Sequence, residues 1–158
     1  MKAPLPFFVS YAHADAADVE RFRKVMRPLL KASAEFAFAE WIDKQLLPGK
    51  PWFDQIAEAR DAAQFGLLLV SPEFLASDFI QEHEVPPLMG KAVLVPVALH
   101  ELHLDGSLEM NGLHLRQIFH DSKGRSFDAC RSARDRRTFA KELFGKIVLL
   151  LRQQAVAA

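Results

Sequence analysis

The segment Phe65-Gly66-Leu67-Leu68-Leu69-Val70 constrains this chain more than any other, because six consecutive residues carry no polar side chain. A strand with one wet face alternates apolar and polar residues, whereas a strand covered on both faces reads as a continuous apolar run. The segment therefore belongs in the middle of a parallel sheet with helices on both sides. Residues 6–11, 36–41 and 92–99 are similar runs, although Pro96 removes a ladder donor and places the last of them near an edge or a bulge. Helical patterns separate the runs. Asp15 is placed to N-cap a helix carrying Val19, Phe22, Met26, Leu29 and Leu30, which is expected to kink or end early at Pro28. Pro51 opens a helix whose apolar face is Phe53, Ile56 and Ala63. The next helix is expected to start in two steps, at Ser71-Pro72-Glu73 and again at Asp78 with Gln81. The final helix carries Phe139, Leu143, Ile147 and Leu150, and residues 100–133 are weakly patterned apart from a short strand at 117–120. This alternation predicts an α/β, flavodoxin-like fold: a five-stranded parallel sheet of order 2-1-3-4-5 with helices on both faces.

A chain of 158 residues suits one domain, residues 1–158, large enough to need no metal or disulfide staple. Lys plus Arg number 20 and Asp plus Glu number 20, so no net field draws in nucleic acid or anionic lipid, and direct nucleic-acid or membrane binding is not expected. Cys130 is the lone cysteine, which suits a reducing cytoplasm. Lys2 followed by apolar residues and Ala12-His13-Ala14 imitates a secretory signal, but Pro4 and Pro6 interrupt the run, and Phe7-Phe8-Val9-Ser10-Tyr11 reads better as a strand. No stretch approaches the roughly 18 apolar residues of a membrane helix. A cytoplasmic protein is expected.

Open parallel sheets bind ligands beyond the carboxyl ends of their strands. That selects residues 10–15, 43–51 and 71–77, whose polar groups a fold-supporting loop does not need. Phe8-Val9-Ser10-Tyr11-Ala12-His13-Ala14-Asp15 resembles the first box of bacterial Toll/interleukin receptor (TIR) domains. Trp41-Ile42-Asp43-Lys44-Gln45-Leu46-Leu47-Pro48-Gly49-Lys50-Pro51-Trp52 is similar to that family's second strand and BB loop, and Ser71-Pro72-Glu73-Phe74-Leu75-Ala76-Ser77-Asp78-Phe79-Ile80 to the segment leading to its functional glutamate. The resemblance covers almost the whole chain.

It implies an NAD+ glycohydrolase or ADP-ribosyl cyclase, a bacterial anti-phage effector that releases nicotinamide after self-assembly, with NAD+ as substrate and no cofactor. Glu84, in Glu84-Val85-Pro86, is the glutamate it selects, with Ile80 where the family often has Trp. Glu82 competes but lies about 200° away on a regular helix. The chemistry suits one carboxylate. Nicotinamide leaves as a neutral base without a general acid, so what remains is stabilisation of an oxocarbenium-like ribose. The bland alternative for Glu84 is a solvent-facing helix carboxylate. Ser10, Tyr11 and Asp43 are candidates to hold the nucleotide, against turn formation and capping. Trp41, Trp52 and Phe74 are candidates to stack on a base, against core packing, and Ser77 to reach a ribose, against starting a helical turn.

The resemblance also implies partners. Leu46, Leu47 and Pro48 are expected to project from the loop between Asp43 and Pro51, through which other TIR domains would dock into an oligomer or filament, the alternative being that Leu46 and Leu47 fold back onto their own sheet as core. A sensor domain or sensor protein would trigger it, making this the effector domain of a longer protein or of a pair. A non-catalytic TIR–TIR signalling scaffold is the alternative, since fold alone does not specify chemistry. A phospho-receiver lacks its clustered aspartates and late lysine here. His100-Glu101-Leu102-His103 does not match H-E-x-x-H, so no metal is expected. Arg131, Arg134, Arg136 and Arg137 are diluted by Asp128 and Asp135 and read as a solvated helix start.

Overall fold

The computed structural model describes residues 2–43 and 51–157. The described residues form one parallel sheet of β1 (Ala3–Ser10), β2 (Phe36–Trp41), β3 (Phe65–Val70) and β4 (Val93–Ala98), in the order β2-β1-β3-β4. Every side chain of β3 is buried, as an apolar strand enclosed on both faces requires.

The helices fall on two sides. On one, α1 (Ala16–Ala32) and α5 (Ala133–Ala157) bury Val19, Phe22, Met26, Phe139, Leu143 and Ile147 against Phe7, Val9, Leu67, Leu69, Val95 and Val97. On the other, α2 (Trp52–Ala62), α3 (Pro72–Ala76) and α4 (Val85–Met89) bury Ile56, Phe74, Val85 and Leu88 against Phe8, Leu68, Val70 and Leu94. Alternate residues of each strand feed opposite cores, the period of two that a strand imposes. Gly66 lets α4 sit close to the sheet, since a Cβ there would lie 3.1 Å from Leu88 Cδ2.

Two expectations need correction. The sheet has four strands rather than five, because the fifth is reduced to one parallel bridge, Val97 to Phe119. Phe119 donates to the Pro96 carbonyl at 2.8 Å and accepts from the Ala98 N–H at 2.9 Å. The next rung back would need an N–H on Pro96, which has none, so the ladder stops. Proline is tolerated in β4 for the same reason: its missing donor faces this outer edge. The other correction concerns the early end that was one of the two outcomes expected at Pro28: α1 runs through it to Ala32. Val25, Met26, Leu29 and Leu30 continue the buried face around it, and tertiary packing outweighs the lost hydrogen bond. The third helix does start twice, α3 capped by Ser71 Oγ accepting the Phe74 N–H at 3.0 Å, but the restart is capped by Ser77 instead of Asp78.

A candidate functional cleft at the carboxyl ends of the strands

A cleft of about 700 Å³ opens where β1 and β3 end, lined among others by Tyr11, His13, Asp43, Trp52, Ser77, Phe79, Ile80 and Glu84. Its size falls within the range of about 300–1,000 Å³ usual for small-molecule and cofactor sites. Glu84 forms part of its wall, with only 7% of the residue exposed. Burial pushes its carboxyl up to about 7 from an ordinary 4.5. The Ser10 hydroxyl pulls the other way, the negative charge of Asp43 adds to the rise, and His13 and Arg60 oppose it. Ser10 is fully buried at the end of β1, with its hydroxyl beside the Glu84 carboxylate.

The chain makes this carboxylate buried by breaking a helix. Residues Ile80–Glu84 form a π-turn in which the Val85 N–H reaches back five residues to the Ile80 carbonyl. Pro86 and Pro87 follow immediately. In a regular helix they would face the carbonyls of Glu82 and His83 without offering an N–H, and their rings would clash there, so the turn widens. Arg60 of α2 supplies a substitute donor, with Nη1 2.8 Å from the His83 carbonyl. Glu82, by contrast, has a side chain 71% exposed, 3.9 Å from His83 Nε2.

The polar rim is tied together across the sheet. Tyr11 donates its hydroxyl to Asp43 Oδ1 at 2.9 Å, and the ring of His13 contacts the other Asp43 oxygen. Desolvation and that acceptor hold the Tyr11 phenol well above its usual range, so it remains a donor. Ser77 lines the cleft while its Oγ caps Ile80 at 3.4 Å, so the capping and cleft positions coincide. Trp41 is placed differently from the other candidates. It stacks on Phe8 with ring centroids 5.2 Å apart and is packed against the core rather than among the cleft-lining residues. Phe74 is wholly buried, whereas Trp52 is 55% exposed and forms an aromatic group with Phe53 and Phe79, of which Trp52 and Phe79 line the cleft.

Sequence reasoning missed Phe79, Arg60 and a charged cluster beside the cleft. The Pro86-Pro87 pair was the available signal for the bond that Arg60 makes, since it leaves carbonyls just before it without backbone donors. In the cluster, the Ser71 hydroxyl donates to buried Asp15, and His100 Nε2 lies 2.8 Å from Asp18, 3.6 Å from Asp15, with Nδ1 3.8 Å from Asp128. Asp18, His100 and Asp128 bring one ligand atom each within 4.8 Å of the others, a spacing that could accept a cation but that exposed acidic groups also reach without one. The His100 imidazole thus brings together the start of α1, the segment after β4 and the loop at Asp128.

Residues 7–132 match the family model of the TIR domain, and the chain belongs to that family. No curated protein matches the chain significantly. No described helix is long and apolar enough to cross a membrane. The loop residues Leu46, Leu47 and Pro48 lie outside the described residues.

Proposed function

We propose that this TIR domain cleaves the N-glycosidic bond of NAD+, with Glu84 as the catalytic carboxylate. The observation that carries the reading is one buried carboxylate, raised to about 7, in the wall of a nucleotide-sized cleft beside the buried Ser10 hydroxyl. The cationic nicotinamide ring would favour ionisation of Glu84 on binding, because an opposite charge within about 4–6 Å lowers a carboxyl pKa. As the C–N bond breaks, its electron pair leaves with nicotinamide and positive charge moves to the ribose, where the fixed carboxylate stabilises it. Water at that carbon gives ADP-ribose; an adenine nitrogen gives a cyclic isomer. Tyr11 and Asp43 supply the ribose-facing polar groups, the buried Ser10 hydroxyl acts behind them on Glu84, and Trp52 with Phe79 supplies ring faces for a base.

Assembly belongs to the same proposal. Trp52, which lines the cleft and is 55% exposed, and its neighbour Phe53, 41% exposed, favour a second TIR domain covering the site. Turnover per molecule is then expected to rise with protein concentration, and a flat profile would point to a site complete within one copy. The direct test is incubation of concentrated protein with NAD+ and separation of the products. Glu84→Gln is expected to lower nicotinamide release by about a hundredfold or more, and Glu82→Gln to leave it intact. The reverse pattern would move the chemistry to Glu82, and no release at any concentration would favour the signalling scaffold.

A further inference from the structure

We infer that Arg60 is a positioning residue: its guanidinium takes over the His83 carbonyl that Pro87 cannot serve, and so fixes the π-turn that presents Glu84 to the cleft. The inference rests on Glu84 being the functional carboxylate, but its geometry stands independently. The Arg60 side chain is 17% exposed, with Nη1 2.8 Å from the His83 carbonyl and Nε 3.1 Å from Asp61 Oδ1. Three successive carbonyls of the turn lack the donor that an α-helix would provide. The Val85 N–H owed to Gln81 is spent on Ile80, and Pro86 and Pro87 have none for Glu82 and His83. A run of carbonyls without backbone donors leaves the turn weakly fixed, and a turn that can relax between α and π spacings would swing Glu84 by a large part of a residue's rotation. The Arg60 bond on His83, one residue before Glu84, removes that freedom. The same guanidinium is a cation near the Glu84 carboxylate, which also faces His13, Asp43 and the Ser10 hydroxyl. Nothing in the Arg60 position requires charge for packing, since α2 rests on the sheet through Ile56 and Ala59.

The test compares Arg60→Met, which keeps the aliphatic stem, in the wild-type chain and in Pro87→Ala, where residue 87 regains an N–H. Amide hydrogen exchange at Val85 and an NMR titration of the Glu84 side chain report on the turn without substrate. Arg60→Met is expected to reduce Val85 protection, to move the Glu84 midpoint above about 7, and to lower kcat by about tenfold to a hundredfold with little change in KM. Arg60→Lys should restore much of the midpoint. In the Pro87→Ala background the loss of protection on Arg60→Met should be smaller, the non-additivity expected of two residues serving one carbonyl. Equal losses in both backgrounds, or an unchanged Glu84 midpoint in Arg60→Met, would overturn the proposal. A wild-type protein that cleaves no NAD+ would instead defeat the proposed function, and the exchange and titration results would still decide the role of Arg60.

Discussion

The two faces of the sheet treat proline in opposite ways. On the α1 and α5 face, Pro28 sits inside a 17-residue helix that runs past it. On the cleft face, Pro86 and Pro87 are accompanied by a π-turn and a helix of only five residues. The first face is bought with large apolar area: Phe22, Met26, Phe139, Leu143 and Ile147 are each 2% exposed or less. That burial holds α1 together across a missing hydrogen bond. The second face buries polar groups among its apolar ones, Ser10, Ser71 and Glu84. There the backbone yields to side-chain and proline constraints, and irregular turns bring functional groups to the surface of the core. Buried polar atoms cost stability unless satisfied, so the comparison predicts that one face stabilises the fold while the other gives up stability for its site.

The largest expected effect lies on the helical face. Phe139→Ala removes a fully buried ring in edge contact with Phe119 and Phe127, and should destabilise the domain by about 3–5 kcal/mol in urea titrations. A loss below about 1 kcal/mol would mean that this face is not the main source of stability.

Glu84 should behave in the opposite sense. Its raised carboxyl means that between about 4.5 and about 7 the folded protein holds a proton that the unfolded chain has released. Stability therefore falls as pH rises through that window and stays lower above it. Glu84→Gln is expected to stabilise the protein by up to about 3 kcal/mol at about pH 8 and to add almost nothing at about pH 4. Urea midpoints at the two pH values measure the difference; a gain independent of pH would break the link between burial and charge.

Pro28→Ala tests how well the packed face absorbs a local defect. It should raise stability by about 2 kcal/mol, less than the full helix-interior penalty because proline also restricts the unfolded chain. NAD+ turnover should not change. Thermal unfolding checks the first point, and no gain would show that the helix has already relaxed around the ring.

The smallest effect belongs to the rim. Tyr11→Phe deletes the donor to Asp43 and leaves the ring in place, for a loss of about 1–2 kcal/mol and a rise in KM larger than the fall in kcat. If KM does not move, the Tyr11–Asp43 bond serves the fold alone.

Much of the fold was legible in residues that act locally or by pattern. Phe65–Val70 announces a strand covered on both faces because no polar side chain interrupts it. Ser71 announces a helix start because its hydroxyl can serve the Phe74 N–H. The spacing of Phe139, Leu143 and Ile147 marks one side of the last helix, and these three residues are buried together. Pro96 carried the warning of a ladder defect, but where its missing donor points depends on which neighbour lies on each side of β4. Only the assembled sheet decided that a fifth strand shrinks to the bridge at Phe119.

The candidate site divides along the same line. The resemblance in the segment from Ser77 through Ile80 to Glu84-Val85-Pro86 selected Glu84, while the helical period separated it from Glu82, since both depend on residues close in sequence. Burial of Glu84, the bond from Arg60 to His83 and the gathering of His100 with Asp15, Asp18 and Asp128 join residues 23 to 85 positions apart. No local pattern encodes those pairs. They exist because parallel strands deliver their carboxyl ends to one edge, where loops distant in sequence share a single desolvated space and the electrostatics of each group is set by the others.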